Sequence, residues 1–187
     1  MMKFSKIAND TFSKLQLGAG ILLKQFTPTS GEFTDENIFG ATDGGVSFSA
    51  TPTYKDLAEG IDNATLNLKE FKRIDSWDVK MSGTLKTLDT NIAKSLLGAG
   101  TVSEKKVTAD AELALTDFED IWWVGDYGKD GGFIAIHLIN SLSTGGFKIQ
   151  SANKDKGAFA FEYTAHASVE SPDTVPFELY ISSTVGA

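Results

Sequence analysis

Apolar and polar residues alternate with a period of two along much of the chain. Val46, Phe48 and Ala50 alternate with Ser47, Ser49 and Thr51. Trp77, Val79, Met81 and Leu85 alternate with Asp78, Lys80, Ser82, Thr84 and Lys86. Val107, Ala109, Ala111, Leu113 and Leu115 alternate with Thr108, Asp110 and Glu112, and Val175, Phe177, Leu179 and Ile181 with Pro176, Glu178, Tyr180 and Ser182. Such a period places each apolar set on one face of a strand and leaves the other face wet, the mark of antiparallel sheets. Residues 20–26, 121–126, 133–140, 146–152 and 158–169 read as further strands, and Gly145-Gly146 and Asp155-Lys156-Gly157 between the later ones are turn signals. The second half of the chain is expected to be a meander of hairpins.

Helical periodicity is confined to residues 90–97. Asp89 or Thr90 would cap the start and Gly98 follows the end. Ile92, Ala93, Leu96 and Leu97 fall on one face, which should be buried. A single further turn is expected at Thr116-Asp117. One helix among many strands predicts a mainly β fold: an antiparallel β-sandwich or barrel of two sheets with one packed α-helix.

Two stretches lack periodicity, 27–44 and 53–67. Both exceed the usual loop length in compact domains, where long loops tend to be functional. The second carries Tyr54, Leu57, Ala58 and Ile61 among acidic residues. It either folds back on its own domain or docks on a neighbouring subunit, and in the latter case should be poorly ordered in the free monomer.

Composition narrows the function. A length of 187 residues suits one domain spanning 1–187, with no internal repeat or linker. Seventeen basic residues against 25 acidic ones, a net charge of −8, disfavour tight binding to phosphate backbones and to anionic membranes. No apolar run approaches the ~18 residues of a membrane-spanning helix. The start, Met1-Met2-Lys3-Phe4-Ser5-Lys6, lacks the apolar segment of a signal peptide, so the chain is expected to begin in a cytoplasm. There is no Cys, which removes disulfides, thiolate metal sites and Cys nucleophiles.

Catalytic motifs are missing: no GxGxxG, P-loop, GxSxG or HExxH pattern occurs. Residues 126–131 begin like a calcium-binding EF-hand loop, but Gly128 stands at its third position and His137 at its twelfth, so a Gly-rich hairpin turn is favoured. His137 and His166 lie within apolar strand patterns and read as packed or interface residues. Glu119 and Asp120, adjacent on a strand, would point to opposite faces and could not share a substrate. No enzyme activity, catalytic residue, metal or cofactor is expected. Trp122-Trp123 is the most conspicuous pair: on a strand one indole would face the core and the other outward, needing cover from a subunit contact or the helix, or serving as a carbohydrate platform.

Several ordered blocks together carry a resemblance. They are Gly44-Gly45-Val46-Ser47-Phe48, residues 68–83 (LKEFKRIDSWDVKMSG), 117–127 (DFEDIWWVGDY), 132–138 (GFIAIHL), 142–147 (LSTGGF), 157–166 (GAFAFEYTAH) and 175–181 (VPFELYI). Over residues 44–181 the chain resembles the major tail (tail tube) protein of long, flexible-tailed bacteriophages of Gram-positive bacteria. The resemblance implies a structural virion protein, made in the host cytoplasm, whose hexameric rings stack into a tube for DNA ejection. It implies as partners the tape measure, tail terminator and distal tail proteins, with DNA passing through an acidic lumen without specific binding. In that setting 1–43 would be an N-terminal arm and loop, 53–67 an inter-subunit loop, and Tyr54, Leu57, Ile61, Trp122 and Trp123 subunit-interface residues. The rival reading from another class is a carbohydrate-binding β-sandwich module, resting on Trp122-Trp123.

Overall fold

The computed structural model describes residues 7–128 and 131–183. The fold is mainly antiparallel β with a single α-helix. Strands β1 (Gln16–Leu23), β2 (Ile38–Gly40), β3 (Thr42–Asp56) and β4 (Lys72–Leu85) precede helix α1 (Thr90–Leu97). After it come β5 (Gly100–Ser103), β6 (Lys106–Ala109), β7 (Glu119–Tyr127), β8 (Gly132–Ser143), β9 (Phe159–Ala165) and β10 (Phe177–Ser182). Eight strands form one sheet in the order β2-β1-β7-β8-β9-β4-β3, with β10 also on β8; β5 and β6 form a small hairpin of their own.

The expected pair of separate sheets is thus one sheet that forks at β8. One side of β8 pairs with β7 from Gly132 to Ser141. The other side is shared: β10 takes residues 133–138 and β9 takes 141–143. Past the fork the β9-β4-β3 arm folds over the β1-β7-β8-β10 arm. Phe48 and Trp77 of the first arm lie with ring centres 5.5 and 6.1 Å from that of Phe177 on the second. The main core fills the space between, with Leu22, Val79, Met81, Ile121, Trp123, Ile136, Leu138, Phe161 and Tyr163 among its members. The fork also corrects the expected meander, because β10 returns to β8 instead of pairing with β9.

Helix α1 closes one end of this core over the predicted residues. Asp89 caps it, its carboxylate accepting from the Ile92 amide at 2.7 Å, and Gly98 (φ 80°) ends it. Ile92 and Leu96 are buried and Ala93 and Leu97 half-buried. Ser95 is buried too, because its hydroxyl meets the Tyr163 hydroxyl at 2.8 Å. That bond offsets the cost of enclosing two polar groups.

A second cluster lies on the opposite face of the β1-β7-β8 arm: Leu23, Phe26, Trp122, Val124, Phe133 and Ala135. Both faces of β7 are therefore covered, and Ile121 through Gly125 form an unbroken buried run. The Trp123 indole sits on the core face, where it donates to the Ala19 carbonyl at 3.1 Å. It lies so close to Gly20 and Gly125 that a Cβ there would come within 2.6 and 2.7 Å of the ring. Gly20 also has φ 69°, so two requirements select glycine at that position.

Several expected boundaries move. The strand predicted through Leu115 stops at Ala109; Leu113 and Leu115 are exposed, since no strand pairs beyond that point. The helical turn predicted at Thr116-Asp117 is a 3-10 turn over Leu115–Asp117. Residues 146–152 form only a single bridge, Gln150 to Ala158. The stretch 27–44 holds β2 and the start of β3, and 1–43 also supplies β1, which pairs directly with β7.

Leu96 is fully enclosed by the core. Leu96→Ala is expected to lower folding stability by about 2–5 kcal/mol, read from urea denaturation midpoints.

Candidate self-assembly surface

Strands β3 and β4 make one long hairpin. Its register runs from Thr42↔Leu85 to Asp56↔Lys72, and the pairs from Thr53↔Ser76 onward lie beyond the residues that pack on the core. The residues expected to be a loop from 53 onward are strand as far as Asp56; Tyr54 lies on β3, and the connection proper is 57–71. On β3, Tyr54 shares the core-facing side with Phe48 and Ala50 by alternation. A bulge on β4 at Asp75 brings Ile74 opposite Tyr54. The core-facing side thus continues as apolar surface beyond its own core.

The tip is fastened rather than loose, against the expectation of a poorly ordered loop. Asp56 holds it: one carboxylate oxygen accepts from the Ala58 amide at 3.0 Å, the other from the Asn67 amide at 2.7 Å. Lys72 reaches the same carboxylate at 3.1 Å and donates to the Asn67 side-chain oxygen at 2.9 Å. The Leu57 amide donates to the Phe71 carbonyl at 2.8 Å, closing the neck. The Asn67 and Ala58 amides, and after them Lys72, hold the Asp56 carboxyl below its usual range. Ala58 is buried beneath these bonds.

This ordered tip displays its apolar side chains. Tyr54, Leu57, Ile61, Leu66, Leu68, Phe71 and Ile74 are each between 39 and 62% exposed. Sequence reasoning found the first three. Leu66, Leu68, Phe71 and Ile74 were missed; their recurrence between the two strand patterns was the available signal. A second uncovered strip belongs to β10. Leu22, Trp123, Ile136 and Leu179 form one transverse row of the sheet, and its last member, Leu179, is 53% exposed. Ile181 beside it is exposed as well.

Trp122 and Trp123 lie elsewhere. Both are buried by this chain's own residues, so the expectation that a subunit contact or the helix covers the outward indole is corrected. Trp122 stacks on His137 (centroids 3.9 Å apart, planes 7° apart), with Phe26 and Tyr180 rings each 5.7 Å away. It offers no open ring face on which a sugar could stack. Phe26 comes from the segment after β1, a cover the alternation pattern did not foresee.

The remaining polar candidates are dispersed. Glu119 and Asp120 differ in surroundings: burial pushes the Glu119 carboxyl up, whereas Asp120 meets His137 at 3.1 Å. The His166 Nδ1 lies 3.3 Å from the Asn140 carbonyl and its ring packs edge-on to Phe118. The Gly-rich turn after Asp126 includes residues 129–130, which lie outside the described residues. No protein-family model matches the chain, and no curated protein matches it.

Asp56→Ala should release the tip while the core stays intact, seen as faster amide exchange confined to 57–71. The Asp56 carboxyl is lowered in the folded chain, so its contribution is present above the ordinary carboxylate range and lost as pH falls through the lowered value. Tip protection, corrected for intrinsic rates, should therefore fall below about pH 4 in the parent chain and not in the variant.

Proposed function

We propose that this chain is a structural subunit that assembles with copies of itself into a hollow tube, of the tail tube type its sequence resembles. The observation that carries the reading is the β3–β4 hairpin: an ordered tip, anchored by Asp56, that holds seven large apolar side chains in solvent. A monomer gains nothing from organising such a surface, and exposed apolar patches of this kind mark sites of association. Full burial of one such side chain is worth about 1.5–3 kcal/mol, from which the cost of association must be subtracted.

The sheet edges support the same reading. β2, at one end of the sheet, has three residues, whereas β3, at the other, has 15 and, among the described residues, no partner on its outer side. A long free edge is a hazard in a monomer and a joint in a closed ring. Lateral pairing at β3 and docking of the tip on an adjacent copy would be two distinct heterologous contacts, one closing a ring and one stacking rings. In this reading rings of six form the conduit. The acidic balance keeps passing DNA from binding its wall, and the tape measure, tail terminator and distal tail proteins set its length and ends.

The test is to replace residues 57–71 by Asn-Gly, joining Asp56 to Lys72 through a tight turn. The parent chain should form rings or tubes in negative-stain electron microscopy and sediment as large species. The shortened chain should keep its β-sheet circular dichroism and sediment as a monomer. Tubes of normal appearance from the shortened chain would overturn the role of the tip. A parent chain that stays monomeric at every concentration would overturn the reading as a whole.

A further inference from the structure

On the outer face of the sheet, three strands bring ionisable groups to one imidazole. Trp122, His137 and Glu178 stand in one transverse row across β7, β8 and β10. His137 Nε2 lies 3.1 Å from an Asp120 carboxylate oxygen, and Nδ1 lies 3.3 Å from one of Glu178. The ring is only 13% exposed and lies flat on the Trp122 indole. Tyr180 donates its hydroxyl to the same Glu178 oxygen at 2.6 Å, and the Asn140 amide donates to the other Asp120 oxygen at 2.9 Å. The carboxylates meet opposite edges of the ring, so the trio encloses no common point for a metal ion.

The proton count follows from the bonds. An ionised carboxylate only accepts, and a neutral imidazole has a single N–H. A neutral His137 would leave one ring nitrogen's lone pair facing a carboxylate oxygen. The cationic ring donates to both and rests on an indole face that favours a cation. The other charged groups near this ring are Glu119 of β7 and Lys24 after β1, which line the same open cleft. Tyr180 and Glu178 are the groups presented by β10.

The geometry points to a proton-dependent clasp: His137 as imidazolium ties β10 to β7 and β8 through Glu178 and Asp120, and β10 loosens when the ring loses its proton. β10 needs such a clasp because β8 is its only strand partner among the described residues. It also carries the exposed Leu179 and Ile181, so loosening it disturbs an apolar surface. The clasp requires ionised carboxylates together with a charged ring. Its contribution is therefore lost when the ring gives up its proton at higher pH and when the carboxylates take up protons at lower pH. Glu178 fits this arrangement: the Tyr180 hydroxyl, then His137, hold its carboxyl below the usual range. The clasp does not depend on the tube reading, since it acts within one chain.

The test is amide exchange of β10, corrected for intrinsic rates, at about pH 5.5 and about pH 8, on either side of the ordinary imidazole range. Protection of the Glu178 and Tyr180 amides, which the register places opposite His137 and Ala135 in the bonded positions of the ladder, should fall about two- to five-fold at the higher pH, the scale of half-exposed ion pairs, with β7 amides unchanged. His137→Gln should abolish the difference and His166→Gln should keep it. Glu178→Gln, at a half-exposed edge position, reads the same clasp should the His137 variant not fold. Long-range proton–nitrogen spectra of the parent chain should show both His137 nitrogens protonated at the lower pH. Equal β10 protection at the two pH values, a difference that survives His137→Gln, or a neutral ring at the lower pH would each overturn the proposal.

Discussion

Strands β7 and β8 carry large apolar side chains on both faces, and nearly every other feature of the fold answers the need to cover both at once. A strand pair that buries only one face can sit at the surface of a sandwich, but Ile121 and Trp123 point one way while Trp122 and Val124 point the other. The inner face is covered by folding the β9-β4-β3 arm over it and plugging one end with α1. The outer face is covered more thinly, by Phe26 from the segment after β1 and by Tyr180 and His137 within the sheet. The fork at β8 makes this possible, since β8 must leave room along one side for both β10 and β9.

The same constraint explains where cover runs out. The folded-over arm is a hairpin that runs on past the core beneath it, so its core-facing side passes from Phe48 and Trp77, packed on Phe177, to Tyr54 and Ile74, which are largely left in solvent. On the opposing arm the buried row that begins at Leu22 ends at the exposed Leu179. These are interior-type surfaces without an interior. Hydrogen bonds around Asp56 then spend order on the tip instead of letting it fray, and a rigid apolar projection loses less entropy on docking than a mobile one.

How legible this was in the sequence depended on whether a pattern was local. Helix α1 was legible to the residue because its cap, its apolar face and its terminal glycine lie within ten positions of one another. Strands with one wet face, such as β4, were legible from alternation. The strand predicted through Leu115 failed because alternation reports a possible face, not a partner, and among the described residues no strand pairs with it beyond Ala109. The Trp122-Trp123 pair misled for a related reason: period two correctly placed the rings on opposite faces, but the outer cover comes from Phe26, nearly a hundred positions earlier. The apolar character of the tip was readable at Tyr54, Leu57 and Ile61. Its anchoring was not, because Asp56 binds an amide eleven positions away.

The outer face shows what thin cover costs and how charge can compensate. A sheet face sealed by packed helices has no need of ionised groups, whereas this one places a histidine between carboxylates directly on its largest aromatic side chain. Half-exposed ion pairs add little to global stability, which rests on the inner core. Their effect is local instead: they bear on β10, an edge strand paired along one side with β8. Stability in this chain is therefore graded, from a core fixed by close packing to an edge and a tip held by a few polar contacts. The exposed apolar side chains of the tip and of β10 lie at the end of that gradient held by polar contacts, where small changes in charge have the most leverage.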